Sequence, residues 1–253
     1  MSDLPQEHAV PDLGLDEQGE EAFLAAAEAL SPDELAAPSL LPGWSRAHVA
    51  AHVAGNAAAF ARAVSSGAGG EPAPMYSSRE ARDADIERLA GLERQELLDT
   101  LRADISSLRE AWAALTPEQW DLGFLNGRGD TAPIRSSVAA RAREIWVHLV
   151  DLDAPGVGGF GAVPAQETEA VLREVFGMWS ARGQAAGWAI ATQASDGAAL
   201  TLGAAEDAGT TVVTGPLALV TAWATGRLRD GEAGPDATRD GAAVDPGPAP
   251  TWV

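Results

Sequence analysis

Glu144 and His148 stand one helical turn apart in Arg141-Ala-Arg-Glu-Ile-Trp-Val-His-Leu-Val-Asp-Leu-Asp153. On a helix such a pair are neighbours and can reach one ion together. A helical wheel gathers Arg141, Glu144, His148 and Asp151 into a polar stripe beside an apolar face of Ile134, Val138, Ala142, Ile145 and Leu149. That places the stripe at the margin of a buried face. A solvated polar edge has the same pattern, and on Glu144 and His148 alone it is the simpler reading. A second pair at the same spacing, His48 and His52, lies far upstream. Its wheel sets His52 and Asn56 beside Val49, Val53, Phe60 and Val64, and turns His48 toward the solvent side marked by Arg62. His52 is the interior candidate; His48 is expected to support the site from behind or to face solvent.

His52, Glu144 and His148 together offer two imidazoles and a carboxylate from two helices. Such a set suits zinc or another divalent metal and leaves a coordination position open. With a divalent ion it carries about one formal positive charge, a local attractor for anions. The chain needs a local attractor, because its net charge is −20. That charge argues against nucleic acid and anionic membrane surfaces as partners. Cysteine is absent, which excludes disulfides, cysteine zinc sites and a protein thiol nucleophile, so any thiol chemistry needs a thiol from outside. All 17 basic residues are arginine, which removes lysine Schiff-base chemistry from consideration. No apolar run approaches the ~18 residues of a membrane span, and Met1 to Glu7 lacks an apolar export core. A cytoplasmic monomer is the expectation.

Helical periodicity accounts for the elements that must carry these residues. A helix is expected from Asp16 to Leu30 and a short start at Ser31-Pro32, with serine as cap and proline at the first position. After the turn Pro42-Gly43-Trp44-Ser45 comes a helix from Arg46 to Val64. Ser66 to Tyr76 reads as a Gly/Pro loop. Further helix runs from Ser78 to Leu115 with a break near Gly91, Asn126 to Asp130 is irregular, and the histidine-bearing helix enters after Pro133. Residues 1–155 therefore read as a metal-binding helical bundle, most economically a four-helix bundle with ligands on facing helices. Ala154-Pro-Gly-Val-Gly-Gly-Phe-Gly161 is a composition break. Residues 162–253 read as a small domain of helices and short strands: a helix over Glu167–Arg182, strands at Trp188–Thr192, Ala199–Leu202 and Thr210–Val213, and a helix opened by Pro216. A Gly/Pro-rich tail over 230–253 closes the chain. The fold class is α+β.

Leu41-Pro-Gly-Trp-Ser-Arg-Ala-His48-Val-Ala-Ala-His52, Pro74-Met-Tyr-Ser-Ser-Arg-Glu-Ala-Arg82, Arg143-Glu144-Ile-Trp-Val-His148-Leu-Val-Asp151 and Thr225-Gly-Arg227 resemble the mycothiol-dependent maleylpyruvate isomerases. The likeness runs from about residue 20 to the closing Pro-Thr-Trp-Val. The metal-binding half alone resembles the wider DinB-like superfamily of thiol-dependent enzymes. The resemblance implies a DinB-like four-helix bundle followed by a small α/β domain. It implies a divalent metal, zinc, held by His52, Glu144 and His148, with mycothiol as cofactor and Arg227 serving activity. The reaction implied is conversion of maleylpyruvate, a small dicarboxylate, to fumarylpyruvate in gentisate degradation. Arg229 competes with Arg227 for the functional role, and apart from the resemblance Arg227 reads as a cation at a helix C-terminus. Trp44, Asn56 and Tyr76 are candidates, by position only, for gripping the sugar-inositol part of mycothiol. Two alternatives stay open at the sequence level: a mycothiol-dependent S-transferase with the same metal set, and a non-catalytic metal-binding helical protein.

Overall fold

The computed structural model describes residues 10–229 and 231–252. Its contacts divide the chain between Ala154 and Pro155 into two compact units. In the first, helices α1 (Gly14–Ala29), α2 (Pro32–Ala36), α3 (Arg46–Ala68), α4 (Arg79–Ala90), α5 (Arg94–Ala113) and α6 (Ser136–Leu152) are joined by loops and one hairpin, β1 (Gly123–Leu125) with β2 (Thr131–Pro133). The four long helices adjoin in the cyclic order α1, α6, α3, α5, a four-helix bundle, and α4 lies against α3. Phe23, Val49, Val53, Leu101, Leu108, Ile145 and Leu149 fill its core.

Local sequence sets where these helices begin. Ser31 and Glu34 form a reciprocal capping box ahead of α2, with Pro32 at the first helical position. Ser45 caps α3 by accepting from the His48 backbone N–H, and His48 Nδ1 accepts in return from the Ser45 N–H. Helix α3 runs on to Ala68, into the stretch whose glycines and proline suggest a loop. Asn126–Asp130 forms the turn of the β1–β2 hairpin: Asn126 Oδ1 accepts from the backbone N–H groups of Arg128 and Asp130. Three-residue strands are too short to show alternation in sequence. At Gly19, a Cβ would lie 2.6 Å from Ile145 Cγ2, so glycine lets α1 close on α6. Trp146 Nε1 then donates to the Leu15 carbonyl at 3.1 Å.

The expectation that the α6 polar stripe sits at the margin of the core holds for Glu144 and His148, which are part-exposed, and needs correction at the ends of the stripe. Arg141 and Asp151 are fully buried. Arg141 Nη1 donates to Asn56 Oδ1 at 2.8 Å and to the Val53 carbonyl at 3.1 Å, and its Nε lies 3.4 Å from Glu20 Oε1. Glu20 also receives Arg109 Nε at 2.7 Å. One polar network thus joins all four bundle helices and pairs most of its buried polar atoms, although Arg141 Nη2 is left without a hydrogen-bond partner among the described residues.

The second unit begins with α7 (Ala165–Ala181) and carries a five-stranded sheet and α8 (Leu217–Ala224). The strands are β3 (Trp188–Gln193), β4 (Ala199–Leu202), β5 (Thr211–Thr214), β6 (Asp236–Arg239) and β7 (Ala242–Ala243), in the order β4-β3-β5-β6-β7. Only β3 and β5 pair in parallel. Helices α7 and α8 pack together, and Trp223 meets Trp179 edge-on at 5.9 Å and Trp188 at 5.4 Å. Residues 230–253, expected as a tail, instead supply β6 and β7. The β5 backbone needs a hydrogen-bonding neighbour, and β6 provides it with almost no β-branched side chains. The whole is α+β. No helix among the described residues is long and apolar enough to cross a membrane.

Asp16 is the costly member of the buried polar set. Both of its carboxyl oxygens are buried without a hydrogen-bond partner. Burial first, and then the charge of Glu20, raise its pKa from 3.8 to about 7 against the pull of Arg141 and Arg109. The folded chain therefore holds an extra proton between those two values, and stability falls as pH rises through that window. Asp16→Asn should change thermal stability little near pH 4, at the foot of that window, and raise it at pH 8 by on the order of a few kcal/mol. Melting curves at the two pH values check this; an equal shift at both would remove the charge as the cause.

Candidate metal centre

Two helices of the bundle bring the site together, each fixed by groups outside it. The loop ahead of α3 is tied to the end of α6: the Leu40 N–H donates to the Asp151 carbonyl at 3.0 Å. Arg46 donates from Nε to the Leu152 carbonyl at 2.9 Å and from Nη2 to the Asp153 carbonyl at 2.8 Å. Asp153 ends α6 in the left-handed region at φ 46°. The Leu41-Pro-Gly-Trp44 turn uses Gly43 at φ 82°, and its Trp44 carbonyl accepts from Ser39 Oγ at 2.9 Å. Trp44 thereby presents its ring edge-on to His52 at 5.7 Å. These contacts fix the register of α3 against α6.

Between the helices lie the three side chains singled out by type and spacing. Glu144 Oε2 is 3.4 Å from His52 Nε2 and 3.4 Å from His148 Nε2. One donor atom from each residue lies within 4.8 Å of the other two. The imidazole rings cross nearly at right angles, 86°, with centroids 4.6 Å apart. Ligand atoms about 2.0–2.1 Å from a tetrahedral zinc sit roughly 3.3–3.4 Å from one another. The donor set therefore fits a divalent ion in chemistry and in spacing.

His148 Nδ1 is 2.9 Å from Asp151 Oδ2, a carboxylate with no exposure. A carboxylate on the far nitrogen holds the ring and leaves Nε2 for an ion, the usual support of a metal-bound imidazole. Asp151 was visible as part of the stripe, three residues beyond His148, but its role depends on burial that the wheel misjudged. It also changes the charge. The two carboxylates, Glu144 half-buried and Asp151 buried, balance a divalent ion, so the set as a whole is formally neutral rather than positive.

The ionisation of the three residues follows from burial set against their neighbours. Burial would raise Glu144, but its hydrogen bonds to His148 and His52 hold it well below the usual carboxylate range. Burial would likewise lower His148, but Asp151 and Glu144 outweigh it and lift the ring to about 9. His52 falls to about 4, first from burial and then from the charge of His148, with Glu144 opposing. Without an ion the centre at neutral pH thus holds one proton beyond its neutral rings, on His148.

The other candidates divide. His48 is not brought to the set: its Nδ1 lies 2.7 Å from Ser45 Oγ in the helix cap and its Nε2 lies 3.4 Å from Glu87. Asn56 is spent on Arg141. Tyr76 lines a cleft with His52 and Arg82, and Arg82 Nη2 lies 3.4 Å from His52 Nδ1. Arg82 closes the Pro74–Arg82 stretch quoted for its resemblance, yet nothing in its local pattern marks it as a site residue. Arg227 belongs to the second unit, where it completes the end of α8. Gly226 at φ 71° donates to the Trp223 carbonyl, and the Arg227 N–H donates to the Ala222 carbonyl at 2.7 Å. This paired closure is the Schellman arrangement. The Arg227 side chain is buried, donates from Nη1 to the Thr225 carbonyl and lies 4.7 Å from the centre of the Trp252 ring. Arg229 Nη2 donates to the Val157 carbonyl at 2.8 Å.

Residues 17–153 match the family model described as the mycothiol maleylpyruvate isomerase N-terminal domain. No curated protein matches the chain. Two solved structures, of the mycothiol-dependent maleylpyruvate isomerase and of a mutant of it in which a histidine is replaced by alanine, superpose with a TM-score of 0.83 at 30% identity. Each comparison covers 100% of both chains.

Two measurements bear on the centre. Binding a divalent ion must displace the His148 proton, so calorimetry at pH 7.5 in buffers of different ionisation enthalpy should show about one proton released per ion. Uptake without proton release would exclude His148 Nε2 as a donor. Asp151→Asn should weaken metal affinity about 10- to 100-fold, read by competition with a chelator; an unchanged affinity would strip Asp151 of its supporting role.

Proposed function

The chain belongs to the mycothiol maleylpyruvate isomerase family, and from that membership we propose that it isomerises maleylpyruvate to fumarylpyruvate, with zinc and mycothiol as cofactors, in gentisate degradation. The observation that carries the metal part of this reading is the shared carboxylate: Glu144 Oε2 stands 3.4 Å from each imidazole nitrogen, at ligand spacing for a tetrahedral ion. His52, Glu144 and His148 would hold the zinc. A divalent ion in this position supplies a Lewis acid that favours deprotonation of a thiol at neutral pH. Mycothiol would supply the thiol nucleophile that the cysteine-free chain lacks, for reversible addition to the activated alkene.

The chain's own residues have narrower tasks. Asp151 keeps His148 oriented through Nδ1. Trp44 packs against the His52 ring and limits the orientations it can take. Arg227 is the guanidinium to which the family resemblance assigns activity, and the reading gives it the negative charge that develops on the substrate as the thiolate adds. The bidentate fork of arginine suits a carboxylate or an enolate, which lysine reproduces only as a point charge.

The test is turnover of maleylpyruvate by the zinc-loaded protein with and without mycothiol, beside His52→Ala. Turnover that requires mycothiol and falls by at least about 100-fold in the variant is the expected result, the scale set by losing a metal ligand. Turnover without added thiol would defeat the cofactor role. A metal-loaded protein that leaves maleylpyruvate untouched but conjugates mycothiol to electrophiles would replace the isomerase with the S-transferase.

A further inference from the structure

A neutral metal set in a chain of net charge −20 leaves an anionic substrate without an electrostatic attractor at the ion itself. The cleft beside His52 supplies one. His52, Arg62, Tyr76, Arg82 and Asp85 line it. Arg82 stands on α4 with its side chain 27% exposed, its Nη1 on the solvated Asp83 at 2.7 Å and its Nη2 directed at His52 Nδ1. Asp85, the acidic wall of the cleft, pairs with Arg88 at 3.4 Å. Arg62 donates from Nη2 to the Met75 carbonyl at 3.3 Å, which holds the segment carrying Tyr76.

The contact between Arg82 and His52 is an ordinary hydrogen bond only while His52 Nδ1 carries no proton. His52 turns Nε2 toward Glu144. With that nitrogen on an ion, the ring's one proton is on Nδ1. An imidazole N–H and a guanidinium N–H then face the same space, 3.4 Å apart, and neither can accept. Tyr76 borders the same cleft, and burial raises its pKa, which keeps the phenol a neutral donor. Two donors facing one space beside a cation is an arrangement completed by an anionic oxygen. Of the neighbouring carboxylates, Asp85 pairs with Arg88 and Glu144 lies between its two histidines; Asp83 already takes Arg82 Nη1, so a ligand would meet Nη2.

We propose that Arg82, with His52 Nδ1–H and Tyr76, forms a carboxylate-binding subsite that seats one end of the dicarboxylate substrate beside the metal set. The proposal rests on the isomerase reading for the identity of the substrate, and on the geometry for the subsite. It gives His52 two tasks: Nε2 serves the ion and Nδ1–H the substrate. It also separates the two histidines, because His148 Nδ1 is occupied by the chain's own Asp151 while His52 Nδ1 faces a cation.

The test compares wild type, Arg82→Gln and Arg82→Lys, all zinc-loaded, in three readouts: metal content, KM for maleylpyruvate and for mycothiol separately, and calorimetric binding of maleate as a simple cis-dicarboxylate probe. Arg82 lies on a partly exposed helix face, so both variants should fold. The expected result is unchanged metal content, a KM for maleylpyruvate raised about 10- to 100-fold in Arg82→Gln with the mycothiol KM within about twofold, and maleate binding weakened in parallel. Arg82→Lys should recover part of the loss. Wild-type turnover with an unaltered KM and maleate affinity in Arg82→Gln would overturn the subsite and leave the isomerase standing. Loss of metal in step with activity would overturn it too, by making Arg82 a support of the ion. Maleate binding that depends on Arg82 in a protein without isomerase turnover would uphold the subsite and remove the isomerase reading.

Discussion

Burying a charged stripe on one helix is the constraint around which the first unit is built. Arg141 and Asp151 on α6 have no exposure, and Glu144 and His148 lie between them. Such groups cost several kcal/mol each if left unpaired in the interior. Every bundle helix contributes to pairing them: Glu20 from α1, Asn56 and the Val53 carbonyl from α3, and Arg109 from α5 by way of Glu20. A shift of α3 along α6 would break the Arg141 bonds and separate His52 from Glu144 in the same movement. The network that anchors the bundle therefore also sets the spacing of the candidate ligands.

Electrostatics divides the labour around the centre. Asp151 gives His148 its orientation and takes the local charge to zero once a divalent ion is counted. Anion attraction then falls to guanidinium groups. In an acidic chain these act over short range, since screening at physiological salt extends only about 8 Å. Arg82 acts within contact distance of His52, where that limit does not matter.

The second unit uses its helix end in a comparable way. The turn through Gly226 closes α8 by two hydrogen bonds, one of them from the Arg227 N–H, while Trp252 covers the guanidinium. Arg182 Nη1 donates to the Thr251 and Trp252 carbonyls and so fastens the covering residue. The helix-terminus role suggested for Arg227 by sequence is thus present in the structure, and a catalytic role would be added to it.

Much of this was legible in the sequence because it depends on short-range patterns. Serine ahead of a helical run gave the starts of α2 and α3, Gly91 marked the break between α4 and α5, and a 3.6-residue apolar period gave the bundle helices their extents. The i, i+4 spacing of Glu144 and His148 put them on one face, and the wheel of α3 preferred His52 to His48. Other features required the tertiary structure, since they depend on which groups meet across elements. A wheel separates polar from apolar sides but cannot say that a polar stripe is enclosed by Glu20 and Asn56 from other helices. The β6 and β7 strands carry almost no intrinsic preference; β6 exists because β5 needs a partner, and β7 because β6 does. His48 faces its own serine cap rather than an ion, a choice made by a rotamer and not by spacing. Sequence determined which residues could bind an ion; packing decided that Glu144 stands equally between two imidazoles, that Asp151 lies behind one and that Arg82 lies behind the other. Distances of 3.4 Å or less between residues thirty to ninety positions apart are fixed only when helices dock.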